Sequence, residues 1–340
     1  MRNETDLHNH QKMAVSFIQE KKRCALFMDM GLGKTATCLT AVKELQEEFA
    51  LCKTLIIAPL RVANSVWKQE ALQWEHLKDL NVIICTGSQK QRLEALESEA
   101  DIYVINRENV PWLCENTQWK WDCVIVDESS GFKNHQAIRF RALRKMLKHI
   151  DYMVELTGTP SPNGLLDLWS QMYLLDKGER LGKTIGVFRS RYFRQAGYGG
   201  YTYELRKGCD NEIHEAIKDI TLTMTVSDWH TPLEKINIIE KIQLPSTAQK
   251  HYDTLEKEFI TFLKNDDHIA ALSSSVLSNK LLQMCNGAVY DSDKNTHQIH
   301  DKKIQAMKEI IEDNPNENFL VAYNYKSDLE RLKKAFPLGS

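Results

Sequence analysis

The sequence predicts an α/β protein built around a doubly wound parallel sheet. Short β-branched runs recur through the first half of the 340-residue chain, each followed by a stretch with helical spacing. The runs are apolar almost throughout rather than alternating, as strands buried on both faces are. Alternating β and α of this kind implies parallel strands, with ligands bound at their C-terminal ends.

The runs are CALFMDM (24–30), TLIIAP (54–59), NVIICT (81–86), DIYVIN (101–106), WDCVIVDE (121–128) and YMVELTGTP (152–160). Helical patterns such as TATCLTAVKELQEEF (35–49) and SVWKQEALQW (65–74) lie between them. After LLDLWSQMYLLD (165–176) the texture changes. Residues 177–230 hold Gly178, Gly182, Gly186, Gly199 and Gly200, several arginines and four tyrosines, with weak periodicity, and read as an irregular extension. From about 236 the pattern predicts a strand (INIIEKIQL), helices near 247–264 and 270–285, and a further helix (KKIQAMKEIIED). A strand (NFLVAYN) and a helix (KSDLERLKKAF) follow. The expected division is a first lobe over 1–176, an extension and connector over 177–235, and the opening of a second lobe over 236–340. So few elements cannot cover both faces of a second parallel sheet, so that lobe is expected to be incomplete.

Hydrophobic residues make up 42% and charged residues 26%, a profile that excludes a disordered chain. A net charge of -2 gives no global basic signature, so any nucleic-acid contact must come from local patches. No stretch approaches the roughly 20 apolar residues of a membrane span, and the N-terminus lacks the apolar core of a signal peptide. A cytoplasmic protein without membrane contact is the expectation. The eight cysteines include no CxxC pair, and several sit in apolar runs as small buried hydrophobes do. His297 and His300 have a ligand-like spacing, but their polar surroundings read as a solvated loop.

Three motifs carry chemistry. Met30-Gly31-Leu32-Gly33-Lys34-Thr35 follows an apolar strand and opens a helix, as a phosphate-binding P-loop does. Its glycines let backbone N–H groups wrap phosphates, its lysine reaches the β- and γ-phosphates, and its hydroxyl ligates Mg²⁺. The strict pattern would put glycine at Met28, so the match begins late. Met30 to Ala36 are therefore candidate ATP-binding residues, with Lys34 also catalytic. Val124-Ile125-Val126-Asp127-Glu128 is a buried strand ending in two acids. Asp127, with Thr35, would hold Mg²⁺, and Glu128 would orient and deprotonate the attacking water. Leu156-Thr157-Gly158-Thr159-Pro160 ends another strand, where Thr157, Gly158 and Thr159 can bond the acids and sense the γ-phosphate.

In this order, GLGKT (31–35), VDES (126–129) and LTGTP (156–160) resemble a superfamily-two helicase core of the SWI/SNF-type translocase branch, in particular its phage and bacterial members with a DESS box. The resemblance implies two RecA-like lobes, the first complete. LHNHQ (7–11) is similar to the branch's nucleotide-sensing opening, which puts Gln11 in the adenine-reading place. APLRVANSVWKQE (58–70) is similar to its first nucleic-acid-contacting motif, and INREN (105–109) stands where a further one is expected. INIIEKIQLPSTAQKHYDTL (236–255), KLLQMCNGAVY (280–290) and residues 302–332 resemble later segments. Two departures follow. Ser130 stands where the branch has histidine, and these residues stop before the last two motifs, which include an arginine finger worth roughly 10³–10⁵ in rate in other NTPases. Weak hydrolysis and a protein partner that completes or regulates the second lobe are the matching expectations.

Arg61, Asn64 and Ser65 lie at a helix start after a strand, and Asn106 and Arg107 at another strand end, all suited to phosphate contacts. The basic helix with Arg139, Arg141, Arg144, Lys145 and Lys148 reads as a solvated face packed by Phe140, Leu143 and Leu147. Trp67 and Trp74, seven apart, read as core. The leading function is an ATP-dependent translocase on double-stranded DNA. The alternatives are a catalytically incomplete ATP- and DNA-binding or inhibitory protein, and an RNA helicase.

Overall fold

A computed structural model describes residues 1–196, 202–229, 236–265, 270–291, 293–315 and 317–337, with the side chains of 258–275 outside that description. Gly199 and Gly200 lie outside the described residues. The chain divides into two compact units, residues 1–233 and 234–340.

In the first unit α1 (Asn9–Lys21), β1 (Arg23–Met28), α2 (Lys34–Glu47), β2 (Thr54–Ala58) and α3 (Leu60–Ala71) open the alternation. Next come β3 (Val82–Cys85), α4 (Gln89–Glu97), β4 (Ile102–Asn106), α5 (Val110–Asn116), β5 (Cys123–Asp127) and α6 (Ile138–Met146). Then follow β6 (Tyr152–Thr157), α7 (Leu168–Asp176), α8 (Ile185–Tyr192), β7 (Phe193–Ala196), β8 (Thr202–Leu205), α9 (Cys209–Ile217), β9 (Thr221–Met224) and α10 (Val226–Trp229). Seven strands form one sheet in the order β3-β4-β2-β5-β6-β1-β9, every pairing parallel. All the C-terminal strand ends therefore share one edge.

The sheet is buried on both faces because its side chains alternate between two cores. Ala25, Leu55, Ile57, Val124 and Val126 pack with Phe140, Leu143, Trp169, Met172 and Phe188. Cys24, Leu26, Ile56, Ile125 and Leu156 pack with Ala14, Leu39, Val42 and Trp67 on the other side. This is the doubly wound, RecA-like architecture the sequence predicts, and all six anticipated strands form. The seventh, β9, was not anticipated. It extends the sheet beside β1, and Leu181, Phe188, Tyr192, Ile213 and Ile217 join the first core. Residues beyond 176 thus pack as part of the first unit. Their periodicity is weak because β9 is a four-residue strand and the helices around it are short.

The second unit holds α11 (Ser246–Asn265), α12 (Ala270–Asn286), β10 (Ala288–Tyr290), β11 (Thr296–Gln298), α13 (Lys302–Asp313) and α14 (Lys326–Ala335). β10 and β11 form an antiparallel pair. At the turn between α12 and β10, Gly287 has φ +100° and lies against the His300 carbonyl, so no side chain fits there. Two expected strands do not form. Residues 236–245 and 317–323 have no regular structure, and Ile236, Ile238, Ile239 and Leu320 are largely exposed. A strand needs a ladder partner for its N–H and C=O groups, and neither segment has one among the described residues. His300 is also not solvated: it is buried, its Nε2 within hydrogen-bond distance of the Met284 carbonyl at 3.0 Å, while His297 pairs with Asp291. Among the described residues no helix is long and apolar enough to cross a membrane.

Candidate functional site

The edge of the sheet gathers the three predicted motifs at the ends of neighbouring strands β5, β6 and β1. After β1 the chain turns through Gly31 (φ +86°) and Gly33 (φ +73°), left-handed positions where glycine costs least. A side chain at Gly33 would strike the Gln11 amide, so α1 lies directly on the loop. His10 reinforces the contact, with Nε2 3.1 Å from the Leu32 carbonyl. The first hydrogen bond entering α2 runs from the Thr37 N–H to the Gly33 carbonyl at 3.1 Å. The N–H groups of Lys34, Thr35 and Ala36 are thus left without partners inside the helix, as at any helix start. Those free donors and the positive end of the helix dipole suit an anion.

Lys34 reaches back over this cradle and donates to the carbonyls of Met28 (2.7 Å) and Asp29 (3.1 Å). Burial lowers its pKa, and the carboxylates of Glu128, Asp127 and Asp29 pull it back up. The side chain is charged, half-buried and held over the loop by neutral carbonyls. Phosphate oxygens would be stronger partners for it.

Asp127 closes β5. Burial raises its pKa to about 6, opposed first by a hydrogen bond from the Trp67 indole N–H to Oδ2 at 3.1 Å. Glu128 repulsion raises it further and Lys34 lowers it. Glu128 sits at φ +53°, a left-handed conformation unusual for a residue with a side chain. Such strain gathers at functional sites. On β6, Thr157 is buried and its Oγ1 accepts from the Thr159 N–H at 3.0 Å. A methyl group at Gly158 would lie 3.3 Å from the Met28 carbonyl, the same atom that holds Lys34. The P-loop and the TGTP turn thus meet at one carbonyl, and the two acids act on Lys34 through their charge.

The other half of the edge carries the predicted nucleic-acid residues. Arg61 is exposed at the start of α3, and the Ser65 hydroxyl is spent on the Arg61 carbonyl. Asn64 accepts from Thr86 after β3 at 2.7 Å. Asn106 is buried and bonds Glu108, and Arg107 pairs with Glu108 at 2.8 Å. These residues crown β2, β3 and β4, which lie side by side.

Several assignments are sharpened by the packing. Trp67 is fully buried, as its spacing implies, but its N–H is committed to Asp127, which makes it part of the site. No local signal could reveal that, since the partners are 60 residues apart. Asp29 was also missed: it accepts from the Val226 N–H at 2.9 Å and ties the loop to the segment after β9. In α6 and the turn after it, Phe140, Leu143 and Leu147 are buried while Arg141, Arg144, Lys145 and Lys148 are exposed. Arg139 instead donates to the Gly131 carbonyl at 2.8 Å, bracing the turn after the acids. Free donors at a helix start, one lysine over them and two acids facing it form a donor set that fits a nucleoside triphosphate with Mg²⁺. Thr35 and Asp127 would supply the protein oxygens for the ion.

A family model, the SNF2-related domain, matches residues 10–304. The chain is 39% identical to a putative protein, p41, of Acyrthosiphon pisum secondary endosymbiont phage 1, across 97% of this chain and 74% of that protein. It is 25% identical to an uncharacterized ATP-dependent helicase of Mycoplasma genitalium across 95% of this chain and 31% of that one. A CHD3-type chromatin-remodeling factor of Arabidopsis thaliana is 31% identical over 50% of this chain and 15% of its own length. This chain thus spans less than a third of the last two. Among solved structures, the Sulfolobus solfataricus SWI2/SNF2 ATPase core in complex with dsDNA matches with TM-score 0.56 and 20% identity, covering 98% of this chain and 70% of that one. That likeness concerns the fold.

Proposed function

We propose that this chain, which belongs to the SNF2-related domain family, is the ATPase core of a translocase that moves on double-stranded DNA. Its family makes it a helicase-like ATPase, and the finer reading rests on one observation. Lys34, Asp127, Glu128 and the Thr157–Thr159 turn meet at the ends of three adjacent strands, beside a rim of phosphate-suited residues. In this reading the first unit is the ATP-binding lobe and the second unit opens the partner lobe.

The residues divide the work. Gly31, Gly33 and the N–H groups of Lys34 to Ala36 receive the phosphates, and Lys34 leaves its two carbonyls for β- and γ-oxygens. Thr35 and ionised Asp127 hold Mg²⁺, which neutralises phosphate charge when bound. Glu128 orients the attacking water and accepts its proton. Gln11, wedged on Gly33, faces the base side. The Thr157–Thr159 turn registers the γ-phosphate, while Arg61, Asn64, Ser65, Asn106 and Arg107 contact backbone phosphates.

The test is ATP turnover measured alone and with duplex DNA, single-stranded DNA and RNA. Duplex DNA should stimulate most. Preferential stimulation by RNA would favour the RNA-helicase reading, and no response to any nucleic acid would sink the translocase reading.

A further inference from the structure

The acid box and the TGTP turn are joined through a helix to which neither belongs. Ser129, directly after Glu128, is fully buried, and its hydroxyl donates to the side-chain oxygen of Gln171 at 2.8 Å. Gln171, equally buried on α7, turns its amide nitrogen the other way. Nε2 donates to the Pro160 carbonyl at 2.7 Å and to the Asp167 carbonyl at 2.9 Å. Both N–H groups of that amide are therefore used, and its oxygen holds the serine. An amide buried among the apolar residues of α7 costs stability unless it is bonded. Here two of its partners, Ser129 and Pro160, lie on the turns that follow the adjacent strands β5 and β6.

Glu155 completes the cluster. It lies on β6 in register with Val126 of β5, fully buried and beside Ser129. Neither carboxyl oxygen has a hydrogen bond of good geometry among the described residues. Ser129 has one hydroxyl proton, already committed to Gln171. An ionised Glu155 would compete for that proton, whereas a neutral carboxyl can donate to the serine oxygen. Burial pushes this carboxyl well above its ordinary range, which agrees with the neutral form. The donors run one way, from Ser129 to Gln171 and on to Pro160 and Asp167, with the Glu155 carboxyl packed beside the serine. Such a chain reinforces itself in a dry interior.

We propose that Gln171, held by Ser129, is the positioning residue that couples the acid box to the TGTP turn. It touches no substrate. It transmits a shift at Glu128 and Ser129 to residues 158–160, the turn that rests on the Met28 carbonyl. Ser130, which stands where the resembling branch has histidine, makes no side-chain hydrogen bond among the described residues and is not needed for this link. The inference rests on the ATPase reading.

Gln171→Met keeps length and volume but neither accepts from Ser129 nor donates to Pro160. With duplex DNA its kcat should fall roughly 10- to 100-fold, the range that a small misplacement of reacting groups costs, while the KM for ATP moves little. Ser129→Ala breaks the same link with a smaller change in volume, so it serves if Gln171→Met does not fold. The double variant should be no worse than the poorer single one, because both break one chain. Glu155→Gln keeps a neutral donor and should retain most of kcat, whereas Glu155→Leu should not.

Hydrogen exchange with and without a non-hydrolysable ATP analogue supplies a readout independent of turnover. In the unaltered protein the analogue should protect amides of residues 30–37 and 157–161. In Gln171→Met the first set should stay protected and the second should lose its protection. Wild-type kcat in both Gln171→Met and Ser129→Ala, or an undiminished response at 157–161, would overturn the inference alone. No protection of 30–37 in the unaltered protein would overturn the ATPase reading and this inference with it.

Discussion

One edge of the sheet carries two sets of polar residues, and the packing treats them in opposite ways. At the ends of β1, β5 and β6, Lys34 and Asp127 are drawn inward, and burial shifts the ionisation of both toward their neutral forms. At the ends of β2, β3 and β4, Arg61 points to solvent and Arg107 is paired with its own neighbour Glu108. Desolvated charges interact strongly and discriminate by geometry, whereas hydrated ones act weakly, additively and under salt screening. The contrast suits chemistry on one half of the edge and sliding contacts on the other.

The largest effect that would break this comparison lies on the buried half. Lys34→Ala and Glu128→Gln should each lower ATP turnover by about 100-fold or more, in the range of lost transition-state contacts. Equilibrium binding of a labelled nucleotide separates them: Lys34→Ala should bind weakly and Glu128→Gln should still bind. Equal turnover in either variant and the parent would remove the catalytic assignment.

A second effect concerns pH. Asp127 must be ionised to hold Mg²⁺, and its pKa in the folded protein is about 6 against 3.8 in a free chain. Uptake of MgATP by the free protein, read as kcat/KM, should therefore rise as pH increases through about 6. Trp67→Phe deletes a donor to the ionised form, so that acid limb should move upward by about one unit, the worth of a hydrogen bond to a charge. Stability runs the opposite way. A raised carboxyl stabilises the fold below its unfolded pKa, and this contribution is lost as pH climbs past the folded value. Asp127→Asn should accordingly raise the melting temperature more at pH 7.5 than at pH 4.5. An equal gain at both would show that the carboxyl is not desolvated.

Smaller effects are expected on the exposed half. Arg61→Ala should weaken duplex binding for all sequences and reduce the slope of log affinity against log salt by about one, without altering the KM for ATP. Arg107→Ala should do less, because Glu108 already screens it. Thr86→Val frees Asn64 and should change duplex affinity by about twofold, the worth of one exposed neutral hydrogen bond. A salt slope that ignores Arg61 would place the nucleic acid elsewhere.

Much of this arrangement is legible in the residues themselves. Six apolar runs gave six parallel strands, and glycines, a lysine and paired acids at their ends gave the candidate phosphate site, because backbone sterics and burial act over a few residues. The seventh strand is not legible in the sequence. Four residues, of which only Met224 is buried, carry too little pattern to distinguish a strand from a loop, and only the open edge of β1 makes Thr221–Met224 one. The segments at 236–244 and 318–324 fail in the opposite sense: their composition favours strands, but a ladder needs a second chain segment.

The sequence by itself determined which residues can do phosphate chemistry and which strand end each occupies. Only the tertiary structure decided what surrounds them. Trp67 on Asp127, Gln11 on Gly33 and Gln171 between Ser129 and Pro160 join residues 11 to 60 positions apart, or across separate helices. Local propensity cannot encode such pairings. Burial sets them, because a polar group in a packed interior must find whichever partner the fold brings within reach.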